Sequence, residues 1–374
     1  MLFNSLPFLV LFAMTFALYY LRSNAGWQVR TLVASSLVFY AWGEPVLLAL
    51  LLCSAAINIL TSYYVIYGDP KRRKLLATGG VVANLAVLAF FKYSPLISAS
   101  FFPETSSIGE FLVMIPLPIG ISFFTFEGIS LVVDVYKENY FKGEAMVERG
   151  LARHAQHTLF FISFFPHLIS GPILKAHEFL PQIGLKKLRD VQWENAVKHL
   201  IMGYFLKMVV ADNLKEHTFW IAFPYFQGMS TPGLLAMLLG YSCQIFADFA
   251  GYSLIAFGLA KVYGYDFIEN FNFPYISTSF AEFWRRWHIS LSSFLKEYLY
   301  FPLGGNKKGK TRTYINLMIT MFLGGLWHGA AWSYAVWGSF HGAALAIERF
   351  LKDRITIRER PWHVPLKMIM VFLF

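Results

Sequence analysis

The stretch Phe322-Leu-Gly-Gly-Leu-Trp-His-Gly-Ala-Ala-Trp332 joins two apolar runs and contains a single histidine, His328. Between Arg312 and His341 this imidazole is the only titratable side chain apart from the tyrosines. An ionisable group inside a segment apolar enough for a membrane is costly, so it is a functional candidate by default. The neighbouring glycines leave the backbone bare, which lets a ligand or a second helix come close.

The composition is that of a helical membrane protein. Of the 374 residues, 56% are hydrophobic and 14% are charged, whereas soluble domains contain roughly a quarter charged residues. Several apolar runs reach the ~20 residues that a bilayer-spanning helix needs. We therefore predict an all-α polytopic membrane protein, with one membrane domain over residues 1–374 and roughly nine to eleven transmembrane or re-entrant helices around a central funnel.

The charge and the cysteines exclude several classes of partner. A net charge of +10 would suggest nucleic acid in a soluble protein. Here the basic residues lie in short loops between spans, which is the signal for topology, so we expect no nucleic-acid binding. The two cysteines, Cys53 and Cys243, lie in apolar segments and are expected to be buried, without a disulfide or a metal site.

The order of spans predicts the orientation. Leu6 to Leu21 is the first predicted span, and Trp42 to Pro45 divides the next apolar run into two, because Gly and Pro interrupt helices. The basic cluster at Asp69 to Lys74 then predicts a cytoplasmic loop and an N-terminus outside a cell (inner) membrane. At the other end, the apolar run Pro365 to Phe374 has no polar flank, which indicates a fragment or missing C-terminal helices.

Further spans and loops follow from the same pattern. Leu159 to Ile173 is apolar but interrupted by prolines and glycine and has basic residues on both sides, so it is predicted to enter the membrane and return, with His167 lining a funnel. The remaining predictions are spans at 75–91, 111–135, 199–210, 234–263, 314–326 and 337–347, outer loops at 93–110 and 211–232, and cytoplasmic segments at 137–157, 264–312 and 348–360.

One cytoplasmic stretch has the pattern of an amphipathic helix. From Phe280 to Tyr300, apolar residues recur every three or four positions, which predicts one amphipathic helix that lies in the membrane interface or folds partly into the protein. It contains His288, which lies beside Trp287. His288 could orient a substrate or be an interfacial histidine. Arg285 and Arg286 could bind phosphates or extend to lipid headgroups.

His328 has two interpretations. Burial favours the neutral form of an imidazole, and a neutral imidazole can act as a general base. Alternatively, His328 is a histidine hydrogen-bonded between helices. Asp248, in the middle of a predicted span, is interpreted mainly as one half of a structural ion pair or as a helix cap. The sequence has no GxSxG, Walker, GxGxxG, HExxH or CxxC motif, which removes the commonest hydrolase, nucleotide and metal sites.

Several stretches together resemble a known family. They are Pro118 to Phe126, Val133 to Tyr136, Phe164 to Pro172, Asp248 to Ser253, Asn270 to Tyr275, Glu282 to Ser292, Tyr298 to Gly305 and Gly325 to Gly329. In this order they resemble the membrane-bound O-acyltransferases, most closely the bacterial branch of alginate O-acetylation and teichoic acid D-alanylation. One departure is Leu254, where the family usually has an acidic residue.

The resemblance implies a function and a set of site residues. It implies that His328 is the essential catalytic histidine and His288 the second family histidine. It also implies that the chain takes acetyl from cytoplasmic acetyl-CoA, as a donor substrate and not a bound cofactor, and passes it to a partner acetyltransferase and a polysaccharide outside. Candidate substrate-contacting residues are Trp327, Arg285, Arg286, Trp287, His167 and Asp248.

Two alternatives remain open on the sequence. One is D-alanyl transfer to teichoic acid, which would need a carrier protein as donor. The other is a transporter or channel with His328 and Asp248 as a proton relay. Internal inverted repeats would favour the transporter, and none is evident.

Overall fold

The computed structural model describes residues 1–103, 106–355 and 361–373, without the side chains of 143 and 144. These residues form helices and connecting segments, with no strand among them, which confirms the all-α prediction. In chain order the α-helices are α1 (Leu6–Leu21), α2 (Ala25–Ala41), α3 (Pro45–Tyr67), α4 (Arg73–Phe101), α5 (Ser107–Met114), α6 (Ile121–Lys137), α7 (Gly143–Met146), α8 (Leu151–Ser163), α9 (Phe165–Leu168), α10 (Ala176–Phe179), α11 (Trp193–Tyr204), α12 (Asp212–Thr218), α13 (Thr231–Val262), α14 (Phe280–Arg286), α15 (Ile289–Leu295), α16 (Lys310–His328), α17 (Trp332–Lys352) and α18 (His363–Leu373). π-helical turns occur at Phe205–Ala211 and Lys296–Tyr300, and 3-10 turns at Pro70–Arg72, Leu180–Gln182, Leu188–Asp190, Phe219–Ile221, Tyr225–Gly228 and Pro274–Ile276.

Apolar helices long enough for a bilayer are present. Among the described residues three helical segments are long and apolar enough to cross, at Pro45–Tyr67, Pro70–Phe101 and Thr231–Val262. The number of crossings beyond these, and the funnel, stay predictions. Cys53 and Cys243 are exposed, so the prediction that they are buried is wrong. Apolar side chains of a membrane protein can face lipid, and an apolar segment therefore does not imply burial.

The early helix boundaries follow the sequence closely. α1 has the bounds predicted for the first span, and its N-cap Ser5 accepts a hydrogen bond from the backbone N–H of Phe8. α2 ends at Ala41 and α3 begins at Pro45, so the predicted break between them is confirmed. Proline fits the first helical turn, where its missing N–H would have no intrahelical partner.

Other boundaries differ from the prediction. The predicted outer loop at 93–110 is wrong, because α4 continues through Pro95 to Phe101 and α5 follows at Ser107. Proline is tolerated inside membrane helices when neighbouring helices satisfy the freed backbone groups. The predicted span at 111–135 is not continuous, since α5 ends at Met114 and α6 begins at Ile121. Positions 104, 105 and 356–360 of the predicted loops, and position 374, lie outside the described residues.

By its internal contacts the chain forms two compact units. Unit 1 comprises Met1–Leu48, Ser163–Leu174 and Glu178–Glu269, and unit 2 comprises Ala49–Ile162, Lys175–His177 and Asn270–Phe374. Each unit is assembled from separated segments of the chain. The single membrane domain over residues 1–374 stays a prediction.

Unit 1 contains the broken backbone that the prolines predict. α8 ends at Ser163, and after the short α9 the chain is not regular helix again until Ala176. The backbone N–H of Phe165, in α9, donates to the hydroxyl of Ser36, in α2, over 3.0 Å. Re-entry into the membrane stays a prediction. The predicted outer loop at 211–232 is wrong in part, because it contains α12.

Unit 2 holds α16 against α17 at unusually short range. A Cβ built on Gly325 would lie 2.8 Å from the Cα of Gly338, and one built on Gly338 would lie 2.9 Å from the Cα of Gly325. The two backbones are therefore in direct contact, which only residues without side chains allow. This contact positions the C-terminal end of α16, where His328 lies.

A polar cluster centred on Asp134 holds the segment Lys175–His177 within unit 2. One carboxylate oxygen of Asp134 lies 2.8 Å from Nδ1 of His177, and the other accepts a hydrogen bond of 2.8 Å from the Tyr298 hydroxyl. Burial, together with the Asp134 carboxylate, raises the pKa of Tyr298 well above its ordinary value. The cluster thus fixes α6 to the π-helical turn that follows α15.

Candidate active site

His328 is the last residue of α16. The next residue, Gly329, is extended, with φ −169°, and α17 begins at Trp332. His328 as a whole residue is exposed, while its imidazole ring lies 5.1 Å from the ring of Trp327 and 5.2 Å from that of Trp337. Burial of the imidazole stays a prediction. The helix ends here, so His328 lies at the start of the short connection between α16 and α17.

His288 lies beside His328 because the backbone turns sharply between α14 and α15. Its φ is +44°, a conformation that costs a non-glycine residue on the order of 1–3 kcal/mol. The predicted continuous helix from Phe280 to Tyr300 is therefore wrong, since it is divided into α14, α15 and the π-helical turn. The side chain is only 1% exposed, and its ring centroid lies 6.5 Å from that of His328.

Asn270 holds this turn in place. Its backbone carbonyl accepts a hydrogen bond of 2.9 Å from the N–H of Ile289. Its side-chain oxygen accepts two more from Ser290, from the backbone N–H at 3.2 Å and from the hydroxyl at 2.9 Å. Asn270 and Ser290 are both buried. These contacts between distant residues outweigh the helical pattern of the sequence and hold His288 in its left-handed conformation.

We expect the Asn270→Ala substitution to destabilise this turn. It would leave the buried N–H of Ser290 without its acceptor, which costs about 1–3 kcal/mol, and displacement of His288 would lower acyl transfer. Thermal unfolding of the purified protein in detergent, with a transfer assay, measures both effects. The control is Asn195→Ala, which removes an exposed asparagine whose side-chain amide donates to Gln192. Equal melting of the two variants would contradict the prediction.

Aromatic rings connect the two histidines. The Trp327 ring lies 5.5 Å from that of His288 and 5.1 Å from that of His328. On its other side Trp327 stacks on Phe126 at 5.9 Å. Trp337, on α17, lies 5.2 Å from His328 and 4.7 Å from His341. The candidate residues Trp327, His288 and His328 are therefore brought together.

Lys92 is a part of the site that the sequence did not single out. It is 8% exposed, and its ammonium group donates to the hydroxyl of Ser122 over 3.0 Å and to the backbone carbonyl of Trp327. The next residue, Tyr93, donates to the carbonyl of Leu326 over 2.9 Å. Carbonyls at the C-terminus of a helix have no intrahelical partner, so this pair caps α16 beside His328. The available signal was a lysine directly after the apolar run that ends at Phe91.

His328 also lines a cavity of about 120 Å³. The cavity lies entirely within unit 2, and its walls come from α14 to α17. The residues that line it are Trp284, Leu291, Ser292, Leu295, Thr320, Met321, Gly324, Gly325, His328 and Trp337.

The predicted phosphate-binding arginines differ in their surroundings. Arg286 is paired with Glu282 at 2.8 Å and donates to the carbonyl of Asn272 at 3.1 Å. Hydrogen bonds from Thr278, with a further contribution from Arg286, lower the pKa of Glu282 to about 2, so this ion pair persists at physiological pH. Arg285 is exposed and is the more accessible of the two arginines.

Three other candidates occupy different environments. Trp287 stacks on Phe283, with centroids 5.6 Å apart. His167 belongs to unit 1, is fully buried, and packs against the ring of Phe267 at 5.7 Å. Asp248, also in unit 1, lies 2.7 Å from the ammonium of Lys207, which is the structural ion pair that the sequence favoured. A role in substrate binding stays a prediction for all three.

Comparison with known proteins places both histidines in a matched region. Residues 154–366 match the model of the membrane-bound O-acyltransferase family. A probable alginate O-acetylase of Azotobacter vinelandii is 39% identical, over 99% of this chain and 74% of the relative. A peptidoglycan O-acetyltransferase of Helicobacter pylori is 35% identical over 91% and 67%, respectively. A teichoic acid D-alanyltransferase of Bacillus subtilis is 26% identical over 84% and 80%.

These matches agree with the resemblance that the motifs indicate, and they do not favour the transporter alternative. The family match and the first of these relatives are both extensive. The chain is an acyltransferase, and it belongs to the membrane-bound O-acyltransferase family.

Proposed function

We propose that this chain is an O-acetyltransferase that uses cytoplasmic acetyl-CoA for the O-acetylation of an exported cell-surface polysaccharide. The observation that carries the proposal is the imidazole of His328 at the wall of an apolar cavity, with His288 beside it. The similarity to probable alginate O-acetylases supports the choice of acyl group and acceptor.

The proposed reaction needs a base and an apolar site. A nitrogen of His328 takes the proton from an acceptor hydroxyl, and the hydroxyl oxygen attacks the carbonyl carbon of the thioester. The carbon–sulfur bond breaks, and the leaving thiolate takes the proton from the imidazolium, so one ester and one free thiol are formed. The rings of His288 and Trp327 pack against the imidazole of His328 and hold it in position.

The proposed orientation follows from the charge of the loops. The basic cluster at Asp69 to Lys74 faces the cytoplasm, with the N-terminus outside a multi-pass cell inner membrane. The donor enters from the cytoplasm near the exposed Arg285. The product is passed on to a partner acetyltransferase outside and to its polysaccharide acceptor. Membrane lipids surround the chain, and nucleic acid has no part in the function.

D-alanyl transfer to teichoic acid is the second candidate. Its support is the similarity to teichoic acid D-alanyltransferases, at 26% and 30% identity for two relatives. This reaction would take its acyl group from a carrier protein instead of CoA.

The donor distinguishes the two candidates. We expect purified protein in detergent to bind acetyl-CoA in competition with CoA, and to release free thiol from acetyl-CoA when the partner acetyltransferase and its acceptor polysaccharide are added. Thiol release and radiolabel transfer from acetyl-CoA are compared with those from a D-alanyl carrier thioester. Consumption of the D-alanyl carrier without consumption of acetyl-CoA would overturn the proposal in favour of the second candidate.

A further inference from the structure

The cavity beside His328 has the features of a binding site for the transferred group. Its walls are contributed by α14, α15, α16 and α17, and His328 is one of the lining residues. An acyl group inside it would therefore have its carbonyl carbon within reach of a hydroxyl activated by His328. This consideration rests on the proposed function, because it takes His328 as the base.

The volume of the cavity limits the size of the group. An engineered apolar cavity of about 150 Å³ in another protein takes up benzene, with its six carbon atoms. The cavity of about 120 Å³ is somewhat smaller. It is large enough for a short acyl chain and too small for the chain of a fatty acid.

The chemistry of the walls limits the charge of the group. The lining is almost wholly apolar and contains no aspartate or glutamate. The Thr320 hydroxyl donates to the carbonyl of Asn316 at 2.7 Å, and the Ser292 hydroxyl is oriented towards the carbonyl of Trp287 at 3.4 Å. An ammonium group placed here would lose its hydration without gaining a carboxylate, which is strongly unfavourable. The cavity therefore suits an acetyl group better than a D-alanyl group.

Two residues that line the cavity, Leu295 and Gly324, pack against each other. A Cβ built on Gly324 would lie 3.0 Å from Cδ1 of Leu295, so the leucine side chain lies against the bare backbone of α16 at the wall of the cavity. Shortening Leu295 would remove three carbon atoms from the wall. Adding a methyl group at Gly324 would narrow the same space.

We propose that this cavity is the acyl chamber of the enzyme, that it takes uncharged acyl groups of about two to four carbon atoms, and that Leu295 and Gly324 set the upper limit of chain length. Residue 295 acts as the end wall, and residue 324 provides the space in front of it. The chamber thereby selects the acyl group through size and the absence of a counter-charge.

The test compares chain lengths in matched variants. Purified wild-type protein, Leu295→Ala, Gly324→Ala and the control Leu323→Ala are assayed with acetyl-, propionyl-, butyryl- and hexanoyl-CoA. Leu323 is an exposed leucine of α16, the helix of Gly324, and does not line the chamber. One methylene in an apolar pocket changes selectivity by roughly tenfold or more. We expect the ratio of butyryl to acetyl transfer to rise about tenfold in Leu295→Ala, to fall in Gly324→Ala, and to stay unchanged in Leu323→Ala.

A binding measurement provides a readout that does not depend on turnover. Affinities for unreactive thioether analogues of the same acyl-CoA compounds should show the same dependence on chain length. If Leu295→Ala and Leu323→Ala have the same chain-length profile while acetyl transfer persists, the assignment of this cavity as the acyl chamber is wrong and the proposed function stands. If wild-type protein neither binds nor uses any acyl-CoA, the proposed donor fails and the chamber fails with it.

Discussion

Replacing His328 with alanine is expected to remove nearly all acyl transfer by this enzyme. A positioned general base contributes about 10²- to 10⁴-fold to a rate, and an alanine side chain cannot accept the proton of the acceptor hydroxyl. The His328→Gln variant, which keeps a polar side chain of similar length, should be equally impaired, because an amide is not a base at neutral pH. The measurement is the O-acetyl content of surface polysaccharide from cells in which the variant replaces the native chain, together with thiol release by the purified protein.

The control for this substitution is His217→Ala. His217 is an exposed histidine of α12 in unit 1, so the change in side chain is identical while the site in unit 2 is untouched. Immunoblots of membrane fractions establish equal amounts of protein. Wild-type levels of surface O-acetylation in cells with His328→Ala at normal abundance would show that another group acts as the base.

The largest expected effect on stability comes from Gly325. A methyl group at this position in Gly325→Ala would be forced against the Cα of Gly338, at 2.8 Å, and against the carbonyl oxygen of Tyr334. Both obstacles are backbone, so relief requires α16 and α17 to separate. Overpacking of this kind costs about 1–3 kcal/mol, and the Gly325→Val substitution should cost more and abolish accumulation of folded protein.

Gly79→Ala is the matched control, since a Cβ at position 79, in α4, would meet nothing within 4 Å. Alanine is favoured over glycine in a helix interior by about 1 kcal/mol, so this variant should melt at the same or a higher temperature than wild type. The two glycine-to-alanine substitutions thus have opposite expected signs. The melting temperatures are measured by thermal unfolding with size-exclusion fluorescence. Equal melting temperatures of Gly325→Ala and Gly79→Ala would contradict the prediction.

The sequence predicted those parts of the fold that depend on local pattern. α1, with bounds Leu6–Leu21, and the break before Pro45 follow from apolar runs and from proline and glycine. The same rules failed at Pro95, where α4 continues, and at His288, where a regular helical pattern is interrupted. The helical pattern is interrupted at His288 because the next two residues, Ile289 and Ser290, form hydrogen bonds with Asn270, which is distant in the sequence.

The site, like the fold, has features that follow from local sequence and features that depend on contacts between distant residues. The Trp-His-Gly and Arg-Trp-His motifs predicted His328 and His288, and the structure places their rings 6.5 Å apart. The sequence does not distinguish Lys92 as a site residue, because a lysine after an apolar run is ordinary at a membrane boundary. The burial of Lys92 and its hydrogen bond to the Trp327 carbonyl result from the packing of α4 beside the end of α16.

What the sequence alone determined is the membrane-protein class and the family, and it singled out two candidate histidines, because hydropathy and short motifs are properties of neighbouring residues. The tertiary structure decided that His328 is exposed, that Lys92 caps its helix, and that an apolar cavity of about 120 Å³ opens beside it. These features arise where separate helices meet. Their geometry depends on the packing of Gly325 against Gly338 and on the turn held by Asn270, which are contacts between residues far apart in the chain.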